Sequence, residues 1–330
     1  MAKPRISPVR WQAPPAPGLT GAFAPNAALA GLERIAVPGT GPEDIAFDAE
    51  GTLFTGVEDG RILARSADRW REVANTGGRP LGIEVDADRS LVVCDAERGL
   101  LRVDPSRGTV ATIVDSVAGE RLRVTNNASI ARDGTIYFSQ SSRKYRLEHL
   151  KADLLEHGSH GRLLRWRTDG SVDVLLEGLD FANGVCLAPD ESYCLVAETA
   201  AYRIRKYWLS GPQAGSDAIV IDNLPGFPDN IALGADGRFW VAMPSERNTL
   251  LDGLLDKPPV LRKLIWALPD SLQPEASRIT FVFAIDGDGA VLANLQADGS
   301  AFHYVTGMRE HDGWLYLGSL MESAIARVRL

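Results

Sequence analysis

A six-fold internal repeat constrains this chain more than any other feature. Aligned on an Asp-containing turn, its copies are 43–51, 81–89, 126–134, 183–191, 229–237 and a sixth, one residue shorter, at 306–313. Each copy reads as a polar opening residue, an apolar strand, a tight turn and a second strand such as 52–55. The copies begin 38, 45, 57, 46 and 77 residues apart, which leaves room for two further strands in every interval. A four-stranded unit cannot bury both faces alone, so stacked copies at this spacing predict an all-β, six-bladed β-propeller. Residues 324–330 leave room for only three strands in the last blade. Residues 32–37, upstream of the first copy, are expected to supply its outer strand, which pairs the two chain ends and removes the open edge.

Ahead of that strand, residues 1–31 hold six prolines, at positions 4, 8, 14, 15, 17 and 25. Proline at this density opposes a helical apolar segment, so an extended arm is expected rather than a cleaved leader. The expected organisation is an arm over 1–31 and one propeller domain over 32–330, with a cytoplasmic location. No run of apolar residues is long enough to span a bilayer. The net charge of −8 argues against a nucleic-acid partner, because phosphate binding needs a concentrated basic face. Three cysteines (Cys94, Cys186, Cys194) supply neither a disulfide framework nor a structural zinc site. Cys186 and Cys194 flank the Asp190 turn and can face one another across a hairpin, although two buried small apolar side chains are the simpler expectation.

In a propeller the first strand of each blade lines the central channel, and the strand starts meet at one mouth. Counting back from the turn places Glu43, Leu81, Asn126, Asn183 and Asp229 there. Polar residues often open strands singly, where they satisfy turn backbone groups. Four in one register argue for a site. Two carboxylates and two amides are hard oxygen donors suited to Ca²⁺. The absence of histidine and cysteine from the set disfavours zinc or copper. Asp44 and Asn127, one position further in, offer donors for a second ion.

Two long connections fall between the second and third strands of their blades, at 142–161 and 244–274. Their leucines recur at helical spacing. Both are expected to form helices that cover the ring mouth and favour a substrate of apolar character. Candidate acid–base groups on the ring face are Glu58 and Glu198, at the ends of second strands, together with His303 and Asp229. Candidate substrate contacts are Arg79, Leu81, Asn127, Ser141, Tyr145 and Thr306. His149, His157 and His160 in the first insertion are expected to be solvated, and His311, in a turn at the far face, structural.

The motifs Gly41-Pro42-Glu43-Asp44, Gly78-Arg79-Pro80-Leu81-Gly82, Thr125-Asn126-Asn127, Ala182-Asn183-Gly184-Val185, Phe227-Pro228-Asp229-Asn230 and Glu310-His311-Asp312-Gly313 resemble the strictosidine synthase-like branch of the calcium-dependent six-bladed propellers. That group includes the gluconolactonases (senescence marker protein, regucalcin) and, more distantly, the paraoxonases. The resemblance spans about 32–330 and implies that Glu43, Asn126, Asn183 and Asp229 hold a catalytic Ca²⁺. It also implies three departures, one being Asn126-Asn127 where relatives often have Asn-Asp, which weakens a second cation site. Thr306 stands where strictosidine synthase has its catalytic glutamate, which argues against amine–aldehyde condensation. Leu81 stands where paraoxonases have a histidine.

The expected activity is therefore Ca²⁺-dependent hydrolysis of a small lactone or ester. The ion would polarise the carbonyl while a carboxylate activates water. The alternatives are a non-catalytic propeller that binds a small molecule or partner protein, and a metal-dependent isomerase. A small-molecule substrate is the expected partner, and oligomeric state is not legible.

Overall fold

The computed structural model describes residues 3–330. Six four-stranded antiparallel sheets surround a central channel. Their innermost strands are Ile45–Phe47, Pro80–Val85, Thr125–Ile130, Ala182–Leu187, Ile231–Leu233 and Val305–His311, for blades one to six. Within each blade the strands follow one another outward, by short turns except for the long insertions between the second and third strands of blades three and five. Blade six is closed by the N-terminal strand Glu33–Ala36, which pairs with Ala324–Arg329 in the register Glu33↔Arg327 to Ala36↔Ala324. The expected closure strand is thus found, and neither chain end leaves an edge beside the ring.

The core lies between the blades, not at the hub. Successive side chains of a strand point to opposite faces, so each sheet packs against both of its neighbours. In blade two, Leu91 and Val93 join Phe54 and Ile62 of blade one, while Val92 and Cys94 join Ile136 and Phe138 of blade three. The fourth seam is the most aromatic, with Tyr202, Phe239, Phe281 and Phe283. The same alternation settles the cysteines. Cys186 is paired with Leu195, and Cys194 with Leu187, so the two thiols lie on opposite faces of their sheet. All three cysteines are free and buried.

Both long connections are helical. The first carries a 3₁₀ turn and helix α1 (Leu150–Glu156), and the second carries α2 (Thr249–Leu255) and α3 (Pro259–Ala267). Asn248 caps α2 by accepting from Leu251 N at 3.0 Å, and Pro259 occupies the first turn of α3. Both insertions pack over one mouth of the channel. Among the described residues no helix is long and apolar enough to cross a membrane.

The arm has almost no regular structure, and its backbone is spent on other elements. Val9 N donates to Glu156 O at 2.8 Å and Trp11 N to Leu255 O at 3.0 Å. Ile6 is buried with Tyr145, Ala152, Leu155 and Trp266 in a small core of the lid's own. Arm and both insertions thereby form one cap. His157 is a correction to the solvated reading: it is buried, stacked on Trp11 with ring centroids 4.2 Å apart. His160 is also engaged, with Nε2 2.8 Å from Glu156 Oε1.

Candidate metal centre at the channel mouth

The inner strands of blades two, three, four and six shift register within their first residues, between Pro80 and Ile83, Thr125 and Ala128, Ala182 and Val185, and Val305 and Gly307. Such bulges re-aim a side chain away from the regular pleat. Leu81, Asn126 and Asn183 lie inside them. Together with Glu43 and Asp229 they line one cavity of about 160 Å³ beneath the lid. The residues selected by register therefore share a centre.

Hydrogen bonding orients the polar members. Asn126 donates its amide to Ser141 Oγ at 2.9 Å, and Asn183 donates to Thr199 Oγ1 at 3.2 Å. Thr199 in turn donates to Pro228 O at 2.7 Å. Asn230 donates to Glu43 Oε1 at 2.9 Å. With the nitrogens held outward, Asn126 Oδ1, Asn183 Oδ1 and Glu43 Oε2 are buried with no hydrogen-bond partner in the protein. A buried acceptor left unpaired costs about 1–3 kcal/mol, so three from three blades facing one cavity mark a place built for a ligand. Burial, reinforced by the charges of Asp44 and Asp229, pushes the Glu43 carboxyl well above its ordinary range. Burial likewise pushes Asp229 up to about 8. A hard cation would answer the orphaned oxygens and the crowded buried carboxylates together. Two carboxylates and two amide oxygens fit Ca²⁺ by donor hardness and charge. Among the described residues no group of three or more His, Cys, Asp or Glu is gathered to hold a metal ion, so a metal here would rest on the two amide oxygens as well as the two carboxylates.

One layer deeper the blades alternate. Asp44, Asn127 and Asn230 come from blades one, three and five, and Gly82, Gly184 and Gly307 from blades two, four and six. Asp44 accepts from Ile45 N at 2.8 Å and Ile83 N at 3.2 Å, and Asn127 Oδ1 accepts from Val185 N at 2.9 Å. The Asp44 and Asn127 side chains thus reach the backbone of the next blade, whereas Asn230 reaches Glu43 across the channel. The glycines make room: a Cβ on Gly82 would stand 2.7 Å from Asn126 O, and one on Gly184 2.6 Å from Asp229 O. The expected second ion near Asp44 and Asn127 has no support in this arrangement, because their oxygens already serve as inter-blade staples.

The candidate substrate contacts separate clearly. Leu81 lines the cavity, with Leu147, Leu150 and Leu154 of the first insertion and Leu251 of the second. Arg79, Asn127, Ser141, Tyr145 and Thr306 do not. Arg79 is spent on Gly41 O at 2.9 Å, and Thr306 Oγ1 donates to Glu43 O at 3.0 Å. Ser141 and Asn127 hold the ring from behind. Tyr145 donates to Glu156 Oε2 at 2.5 Å inside the cap. Sequence reasoning missed the aromatic wall. Phe181, Phe227 and Tyr304 line the cavity, each two residues before the ring register of blades four, five and six, so the signal lay in the same repeat. Tyr304 adopts a left-handed backbone (φ +56°). Burial and the Asp229 charge push its hydroxyl up to about 12.

Three proposed acid–base groups lie elsewhere. Glu198 is fully buried but clamped by Arg203 at 2.7 Å and Arg205 at 2.9 Å. Those arginines, opposing burial, hold its carboxyl below the ordinary range. Glu58 is exposed in a turn outside the cavity. His303 pairs through Nδ1 with Glu322 Oε1 at 2.6 Å and is likewise outside. Asp229 alone of the four stands in the ring. His311 stacks on Phe47 at the far face, with centroids 4.0 Å apart.

Comparison with known proteins agrees with the fold. The strictosidine synthase family profile matches residues 126–212, and the profile of the strictosidine synthase-like N-terminal region matches 21–65. The chain is 35% identical to adipocyte plasma membrane-associated protein of Rattus norvegicus over 98% of this chain and 93% of that protein. It is 36% identical to the STRICTOSIDINE SYNTHASE-LIKE 6 protein of Arabidopsis thaliana over 88% and 79%. In fold it is similar to a gluconolactonase of Xanthomonas campestris, with TM-score 0.68, 20% identity and 93% of each chain covered.

Proposed function

The chain belongs to the strictosidine synthase-like family, and on that premise we propose that it is a Ca²⁺-dependent hydrolase acting on a small lactone or ester of largely apolar character. The observation that carries this reading is the set of three orphaned oxygens, on Glu43, Asn126 and Asn183, turned into one apolar cavity beside Asp229. Glu43, Asn126, Asn183 and Asp229 would hold the ion. Bound there, Ca²⁺ supplies the Lewis acidity that draws electron density from a carbonyl.

The protein's own groups do the rest. Leu81, Leu150, Leu154, Phe181 and Phe227 take the apolar body of the substrate and keep bulk water from the reacting bond. Asp229 is the carboxylate placed to receive the proton of the attacking water. Tyr304, protonated at neutral pH, lines the same cavity and can donate to the oxygen that gains charge. Thr306 supplies no carboxylate, and its hydroxyl is held by Glu43 O, which fits hydrolysis better than condensation. A propeller alone would not justify a hydrolase, since the fold hosts many roles.

The test is turnover on a panel of aliphatic lactones and aryl esters, with chelator and with added Ca²⁺. The reading expects turnover that chelation removes and Ca²⁺ restores, and a folded but inactive Asn183→Ala variant. Turnover indifferent to both treatments would refute the metal role. Saturable binding without turnover would show a binding protein instead.

A further inference from the structure

We propose that the outer face of the cap is a docking surface for an anionic lipid bilayer. Six of the eleven exposed large hydrophobic side chains among the described residues lie on this one structure: Val9, Leu250, Val260, Leu261, Leu264 and Leu272. Val260, Leu264 and Leu272 are the most open of them, at 56, 60 and 66%. Scattered singly, such residues need no explanation; gathered on one element they mark an interaction surface.

Helix α3 buries Arg262 and Trp266, while Val260, Leu261 and Leu264 face outward. Arg262 Nη2 donates to Val9 O at 2.7 Å and Nη1 to Leu155 O at 3.0 Å, tying the arm to the first insertion. These bonds fix which face of the helix is inside.

Charge selects the occupant. Over residues 3–11, 143–160 and 244–278, twelve Lys or Arg stand against eight Asp or Glu, a formal +4 in a chain of net −8. Arg5, Arg10, Lys151 and Lys263 are exposed on the same cap, with Glu148, Asp256, Asp270 and Glu275 as its exposed carboxylates. An interfacial helix that binds anionic lipid needs the same combination, aliphatic residues sunk among head groups and basic residues beside them. A second copy of this chain fits less well. An isologous contact across this face would bring two surfaces of the same net positive sign together. The apolar cavity lies directly beneath, so a docked cap would face a reservoir of apolar solutes.

The inference does not rest on hydrolysis, and its test is binding. Flotation of the full chain with phosphatidylcholine vesicles containing phosphatidylserine should carry the protein upward, and pure phosphatidylcholine or raised salt should weaken this. Val260→Glu with Leu264→Glu should lower vesicle binding about tenfold or more, and Lys263→Glu should lower it on anionic vesicles only. These positions are exposed, so unchanged melting temperatures would confirm folded variants. No flotation, or flotation that the variants leave intact, would overturn the proposal. So would a dimer in solution that the double variant dissolves without any vesicle binding.

Discussion

The side-chain amide of Asn230 donates to Glu43 Oε1 at 2.9 Å, joining blade five to blade one across the channel, while Glu43 Oε2 stays buried and unpaired. One oxygen of the carboxylate is thereby fixed and the other kept free for the cavity. The same division recurs at Asn126 and Asn183, whose amide nitrogens are held by Ser141 and Thr199.

If these partners orient the ligands, removing one should weaken the ion without removing a ligand. Thr199→Val deletes the acceptor of the Asn183 amide and is expected to lower Ca²⁺ affinity about tenfold or more, as outer-shell changes commonly do. Calcium-induced shifts in melting temperature across a titration would read this. A shift curve identical to that of the parent protein would show that Thr199 does not position Asn183.

Gly184 sits where the inner strand of blade four packs against that of blade five. A methyl group there would overlap Ile231 N and Asp229 O. Gly184→Ala is expected to cost about 1–3 kcal/mol and to abolish the calcium response by displacing Asp229. Denaturant unfolding together with the calcium shift would check both.

Glu198 is assigned to structure, not chemistry. Glu198→Gln leaves Arg203 and Arg205 without their shared carboxylate and is expected to destabilise by about 2 kcal/mol or more. Calcium affinity should be unchanged. A variant of normal stability that had lost turnover would return Glu198 to the catalytic set.

The cap should loosen in acid. Burial alone would raise the Glu156 carboxyl, but Lys144, Ser7 N, Tyr145 and His160 outweigh it and bring it down to about 2. The unfolded carboxyl titrates near about 4.3, so between these values the unfolded chain binds more protons. The stability that Glu156 contributes is present above that range and is lost as pH falls through it. Fluorescence of Trp11 and Trp266, both packed in the cap, should report opening over this interval. In Glu156→Gln that acid transition should vanish.

Much of the fold was legible because the turn residue of each copy fixes the whole blade. Counting from Asp48, Asp133 or Asp236 locates the inner strand, its start and hence the ring, and the shortfall after Arg329 called for the strand at Glu33–Ala36. What the repeat does not give is partnership. A position at the end of a strand says which mouth a side chain is near, but not whether it is already bonded. His303, paired with Glu322, was misread for that reason, whereas Glu58 lies past its strand in an exposed turn. Glu198 had a readable clue, since a hairpin sets it directly opposite Arg203. Helical spacing in the insertions announced α2 and α3 but not which face turns inward. That was decided by backbone carbonyls of Val9 and Leu155, far away in sequence, which claim Arg262.

The central claim is that four side chains from four blades capture one hard divalent ion. Isothermal titration of Ca²⁺ into chelator-stripped protein tests it most directly. The account predicts one ion per chain, lost in both Asn126→Ala and Asn183→Ala while the propeller stays folded. Absence of binding in the parent protein, or full binding retained in both variants, would contradict it.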